Sequence, residues 1–234
     1  MDMTLGGQLK IFQERQDHAN VYLLKTKRGC VLIDPALDPD ELHPQDWDNL
    51  QLLVATHGHY DHIRLADVYR AKKPGLKLLG HQLSKEVYLD PYENCSSLFW
   101  DAKSFAPADL FLDDGESYAL DDELSLKAYH MPGHSRDSLV YLLRKREGTT
   151  EKTLAIIGGD LLFMSSVGRS DLVGSDPQDL SLSLQRLIAL HRADEALWDA
   201  KVPWYPGHGA VITLERELLF NPFLKEAAAL LERH

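Results

Sequence analysis

Cysteine, net positive charge and long apolar runs are all scarce in this 234-residue chain, and each shortage removes a class of protein. Two cysteines, Cys30 and Cys95, cannot build a disulfide framework and do not sit at a paired metal-ligand spacing, so each is expected as a buried free thiol. Lys and Arg number 25 against 36 Asp and Glu, a formal charge of -11. Nucleic-acid binding needs a basic face to displace counterions, so no such partner is expected. The basic cluster Arg144-Lys145-Arg146 does not change this: it lies just before Glu147-Gly148-Thr149-Thr150 and reads as a solvated hairpin turn. No stretch approaches the roughly 20 apolar residues of a membrane span. The opening MDMTLGGQLK also lacks the apolar core of a signal peptide, so a cytoplasmic protein with no membrane partner is expected.

The composition, 44% hydrophobic and 26% charged, suits a globular protein long enough for a buried core. Two short apolar runs, 20–24 and 29–33, are joined by Lys25-Thr26-Lys27-Arg28 and predict a hairpin. A strand is expected over 52–55, a helix over 63–72 closed by Pro74-Gly75, and a strand over 76–79. The aromatic-rich stretch 84–106 reads as helix plus loop over a cleft. Strands follow at 124–129, 139–143 and 154–157, then helices at 179–191 and 214–233, the last interrupted at Asn221-Pro222. No low-complexity linker divides the chain, which favours one α/β domain over 1–234 with two similar halves, roughly 1–125 and 126–234.

The positions of the polar residues are more telling. Four strand-like runs each end in a metal-ligand type: LLVAT leads to His57, SLKAYHMPG to His134, TLAIIGG to Asp160 and KVPWYPG to His208. Neighbouring strands bring their ends to one edge of a sheet, so these residues can converge. The first run opens into THGHYDH, residues 56–62. On an extended tail His57 and His59 can chelate one ion while Asp61 and His62 bend toward a second; a helix would turn the two histidines about 200° apart. Gly58 permits the sharp path between them.

THGHYDH, then PGH at His134, GGD at Asp160 and PGH at His208, in that order across nearly the whole chain, resembles the metallo-β-lactamase superfamily. The resemblance implies a four-layer αββα sandwich with metals at the sheet edge. It implies His57, His59 and His134 on one ion, Asp61, His62 and His208 on the other, and Asp160 bridging, with Asp61 also taken as catalytic. Imidazole and carboxylate ligands suit two divalent ions, zinc first, with iron or manganese also compatible. Asp34, in VLIDPA, resembles an aspartate that orients a ligand in this family, and a plain turn residue is the other reading. Tyr60 either lines the pocket or packs beneath the metals. Arg136 and Arg169 either hold an anionic group of the substrate or make ordinary ion pairs. After His134, Arg136-Asp137 replaces the small residues common in the family.

The stretch GDLLFMSSVGRSDLVGSD (159–176), with SLSLQRLIAL, PGHG and NPFL, is similar to the glyoxalase II branch, which hydrolyses acylated glutathione thioesters. Most of the C-terminal region that helps full-length glyoxalase II bind glutathione has no counterpart in the 25 residues after Gly209. The GR and D signature at Arg169 and Asp171 also occurs in persulfide dioxygenases, which hold one iron. The expectation is a dinuclear hydrolase that uses a metal-bridging hydroxide on a small-molecule thioester. A mononuclear iron dioxygenase, or a lactonase or phosphodiesterase on the same fold, is the alternative. A thiol of pKa near 8.5 leaves as thiolate without a general acid. The unassigned histidines, His18, His43, His81, His130, His191 and His234, carry no motif that marks one for that task. No pattern in the sequence bears on the oligomeric state.

Overall fold

A computed structural model of the chain describes residues 3–15 and 18–233. The first sheet runs in chain order: β1 (Met3–Thr4), β2 (Leu9–Phe12), β3 (Val21–Thr26), β4 (Gly29–Ile33), β5 (Leu50–Val54), β6 (Lys77–Gly80) and β7 (Leu110–Phe111). The later strands are β8 (Ser117–Ala119), β9 (Leu124–His130), β10 (Leu139–Glu147), β11 (Thr150–Gly159), a separate hairpin of β12 (Leu162–Phe163) and β13 (Ser166–Val167), then β14 (Pro203–Pro206) and β15 (Ile212–Thr213). The second sheet has the order β15-β14-β11-β10-β9-β8. Helices are α1 (Pro44–Asp48), α2 (Tyr60–Ile63), α3 (Ala66–Lys72), α4 (Ser84–Val87), α5 (Pro177–Ala193), α6 (Leu214–Phe220) and α7 (Pro222–Leu231).

Strand periodicity explains the layering. Alternate side chains leave a strand on opposite faces, so β3 sends Tyr22 and Leu24 one way and Val21 and Leu23 the other. Tyr22 and Leu24 join Leu126, Tyr141 and Ile157 of the second sheet in a core between the sheets. Val21 and Leu23 pack under Ile63, Ala66 and Tyr69 of α2 and α3. On the far side Leu142 and Ile156 pack under Leu184, Leu187 and Ile188 of α5 with Leu224 of α7. Three cores thus separate four layers, an αββα sandwich.

Most predicted elements are present, with shifts that have local causes. The expected helix over 63–72 is two helices, because α2 begins at Tyr60 directly after extended His59 and the chain breaks at Arg64-Leu65 before α3. The cluster Arg144-Lys145-Arg146 is paired strand, not turn: β10 and β11 shift register by one residue between Leu143 and Arg144 but stay paired to Glu147 opposite Thr150, so the turn shrinks to Gly148-Thr149. Arg144 is buried and donates to Thr153 Oγ1 at 3.1 Å. Residues 84–106 hold the short α4, a tight helical turn at Ser96–Phe99 and loop. Cys30 and Cys95 are buried free thiols, and burial pushes the Cys95 thiol up to about 11. Among the described residues no helix is long and apolar enough to cross a membrane.

The sheets are stitched along one edge. Leu139 N–H donates to Thr56 O at 2.8 Å, the Tyr141 hydroxyl to Ala55 O at 2.9 Å and Asn20 N–H to Gly207 O at 2.7 Å. In this seam Asp137 is fully enclosed, and desolvation pushes its carboxyl up to about 6 although the Ser135 hydroxyl and Gly58 N–H bond to it. A carboxyl raised above its unfolded value near 4 costs nothing while protonated in both states; the cost appears as pH rises from about 4 through about 6. Asp137→Asn is therefore expected to be more stable than the natural protein by roughly 2–3 kcal/mol at pH 8, with the gap closing below about pH 4. Urea denaturation of the two proteins across that range measures it, and a pH-independent gap would refute the account.

Candidate metal centre

Each strand in the seam delivers a side chain to the same point. The segment after β5 stays extended through His59, which has φ -68° and ψ 146°, so His57 and His59 both face the seam. The first turn of α2 then adds Asp61 and His62. His134 comes from the loop after β9, Asp160 follows β11 directly and His208 lies two residues beyond β14.

Ligand atoms of His57, His59 and His134 lie within 4.8 Å of one another, as do those of Asp61, His62 and His208, and those of His57, His62 and Asp160. Asp160 stands between the outer two groups. Its Oδ2 is 3.3 Å from His134 Nε2 and 3.5 Å from His208 Nε2, and its Oδ1 is 3.3 Å from His62 Nε2. All seven predicted ligands are thereby brought together. Gly207 makes this approach possible: a Cβ there would lie 2.0 Å from Asp160 Oδ1.

The outward ring nitrogens settle which nitrogen faces the centre. Asp34 Oδ2 accepts from His62 Nδ1 at 2.9 Å, Arg169 O from His134 Nδ1 at 2.8 Å and Glu14 Oε2 from His208 Nδ1 at 2.7 Å. The Thr56 hydroxyl donates to Asp34 Oδ2 at 2.9 Å, so its oxygen accepts from His57 Nδ1 at 3.1 Å. Carboxylates and carbonyls only accept, which puts the proton on Nδ1 and leaves Nε2 to the centre. Asp34 itself takes a left-handed φ of 55°, unusual for a residue other than glycine, and is held there by Thr56 N–H at 2.8 Å as well. It orients His62 and, through Thr56, His57.

Nε2 of His57, His59, His62 and His134 and Oδ1 of Asp160 are buried without a hydrogen-bond partner. Orphaned polar atoms of this kind cost about 1–3 kcal/mol each when nothing satisfies them. Five converging on one point fit divalent cations, and the donors are nitrogen and oxygen only. Burial, reinforced by neighbouring imidazoles, holds His57 well below its usual value, His59 down to about 3, and His134 lowered as well, so their lone pairs are free. On the other side burial opposes charge, but Asp160 and the neighbouring carboxylates outweigh it, raising His62 and holding His208 up at about 9. Burial likewise works against ionised Asp61, yet His62 and His208 bring it down to about 2. The three carboxylates Asp34, Asp61 and Asp160 therefore demand positive charge at this spot.

The other predicted residues stand at the margin. Tyr60 donates to Asp101 Oδ2 at 3.0 Å and stacks on Phe99, with ring centroids 4.9 Å apart. Arg136 is paired with Glu93 at 2.7 Å and Glu86 at 3.2 Å, and Arg169 with Asp171 at 2.7 Å, so both guanidinium groups are engaged by carboxylates of the chain. Glu14 escaped sequence reading, since nothing in QERQ marks a partner 194 positions away. Thr56 was within the motif but silent as to role.

These features agree with what the chain resembles among known proteins. It is 28% identical over 217 residues to the probable metallo-hydrolase YqgX of Bacillus subtilis, covering 88% of this chain and 92% of that one. It is 27% identical over 204 residues to the hydroxyacylglutathione hydrolase GloC of Haemophilus influenzae, covering 85% and 88%. Superposed on the crystal structure of TTHA1623 in a di-iron-bound form, it gives a TM-score of 0.69 at 28% identity, covering 92% of this chain and 99% of that one. The family model of the metallo-beta-lactamase superfamily matches residues 15–197, and the chain belongs to that superfamily.

Proposed function

We propose that the protein is a dinuclear metal-dependent hydrolase acting on a thioester of the hydroxyacylglutathione type. The observation that carries this reading is the set of five orphaned donor atoms on His57, His59, His62, His134 and Asp160, flanked by Asp61 and His208. His57, His59 and His134 hold one cation, Asp61, His62 and His208 a second, and Asp160, with oxygens against both groups, serves both. Zinc suits this nitrogen and oxygen set first, with iron or manganese compatible. Two such cations, when bound, polarise a substrate carbonyl and make water nucleophilic near neutral pH.

The chain's own residues supply geometry and proton control. Thr56, Asp34, the Arg169 carbonyl and Glu14 fix the outward nitrogens, so the inward lone pairs do not have to reorganise. Asp61 stays ionised with Oδ2 3.2 Å from His208 Nε2, so that carboxylate and that imidazole face the same point as a pair of ligands.

A thioester fits because no further histidine among the described residues is placed to protonate a leaving group. His18 bonds Ala19 O, His43 caps α1, His81 stacks on His130, and His191 bonds Trp198 O; His234 lies outside the described residues. A thiolate, with a parent pKa near 8.5, departs without that proton, whereas an amide nitrogen does not. The similarity to GloC supports an acylated glutathione as the substrate class.

Purified protein is expected to carry two divalent metals per chain by elemental analysis and to release thiol from S-lactoylglutathione under anaerobic conditions. One iron per chain with oxygen uptake on a persulfide would replace this reading with the dioxygenase. An inert thioester beside a cleaved lactone or phosphodiester would shift the substrate class. His59→Ala is expected to lower kcat at least 100-fold, a loss of about 3 kcal/mol in transition-state stabilisation. Unchanged turnover would sink the catalytic assignment. Gly207→Ala, which drives a methyl into Asp160, is expected to weaken metal binding 10- to 100-fold in a chelator competition.

A further inference from the structure

One buried carboxyl in the seam takes no part in the centre described above. Asp137 is 1% exposed, and its Oδ2 is enclosed without a hydrogen-bond partner. Its Oδ1 accepts from two donors, the Ser135 hydroxyl at 2.6 Å and Gly58 N–H at 3.3 Å. Both donors sit beside metal-ligand positions: Gly58 lies between His57 and His59, and Ser135 follows His134. A buried carboxyl with an unsatisfied oxygen is costly, so its presence calls for a reason.

The surroundings of Gly58 supply one. A Cβ at Gly58 would lie 2.5 Å from the Tyr88 ring, so this pivot is pressed against Tyr88 while Asp137 holds its N–H. Two residues earlier, Leu139 N–H bonds Thr56 O at 2.8 Å. Leu139 at the start of β10 and Asp137 in the loop before it therefore grip the segment after β5 at Thr56 and at Gly58, on either side of His57. Remove the Asp137 bond and Gly58, a residue with wide backbone freedom, loses the contact that sets its orientation between the two histidines.

We propose that Asp137 is a positioning residue that locks the His57-Gly58-His59 turn to the loop carrying His134, and so sets the affinity and coordination of the cation those three histidines hold. This rests on the metal-centre reading given above. The role needs an acceptor at Oδ1 rather than a charge. Asn at this position keeps that acceptor and places an amide nitrogen where Oδ2 lacks a partner.

The test titrates metal-stripped natural protein, Asp137→Asn and Asp137→Ala with zinc against a chromophoric chelator, records visible spectra with cobalt(II), and follows urea unfolding of each. The Asn variant is expected to match the natural protein within threefold. The Ala variant is expected to bind one of its two zinc ions 10- to 100-fold more weakly, with altered cobalt bands. Equal zinc affinity and an unchanged cobalt spectrum in a folded Ala variant overturn the proposal, as does an Asn variant that behaves like Ala. Should the Ala variant not fold, Asp137→Glu, which displaces the acceptor by one methylene, is expected to show the same weakening, and natural affinity there overturns the proposal. Natural protein that binds neither ion refutes the metal-centre reading itself. Two ions bound equally by all variants refute only the role of Asp137.

Discussion

Unpaired lone pairs held in a dry seam are the constraint on which the rest of this structure depends. Nitrogen and oxygen donors of His57, His59, His62, His134 and Asp160 are buried together with no partner from the chain. Desolvation makes such an arrangement expensive, and carboxylates of Asp34, Asp61 and Asp160 add like charges that favour it only if positive charge joins them. The same carboxylates raise the proton affinity of His62 and His208, and divalent cations would meet the demand in place of protons. Stability and chemistry are thus set by the same electrostatic fact.

Much of the fold serves to keep that seam rigid. The inter-sheet core brings Tyr22, Tyr141 and Tyr205 beneath the ligand loops, where their rings fill volume while the Tyr22 and Tyr141 hydroxyls donate to Pro206 O and Ala55 O. Tyr22 and Asn20 both bond Pro206 O, next to the glycine that lets β14 approach Asp160. Arg169 acts through its carbonyl on His134 while its guanidinium is occupied by Asp171. Its guanidinium makes the ordinary ion pair that was one of the two readings of the sequence, and its bond to His134 uses an atom that every residue carries.

What was legible in the sequence follows a physical pattern. The 20–33 hairpin, the helix at α5 and the Asn221-Pro222 interruption all depend on local periodicity, turn residues and capping, and the structure shows them within a few residues. Asn221 caps α7 with its own side chain, a local bond that the following proline advertises. The break at Arg64-Leu65 and the strand at Arg144-Lys145-Arg146 were not legible, because pairing with distant partners decides them. Arg144 is held in the strand because Thr153 Oγ1 and Glu151 O, on the paired strand, accept from its two terminal nitrogens.

The sequence by itself determined the ligand types, their place at strand ends and the extended spacing of His57 and His59, since these follow from chain periodicity and residue chemistry. Tertiary structure alone decided the rest: that Asp160 touches both histidine groups, that Glu14 orients His208 and Asp34 orients His62, and that Asp137 grips Gly58. Each of these joins residues far apart in the chain across the gap between two sheets. Their distances are set by how the sheets pack, and local sequence does not carry that information.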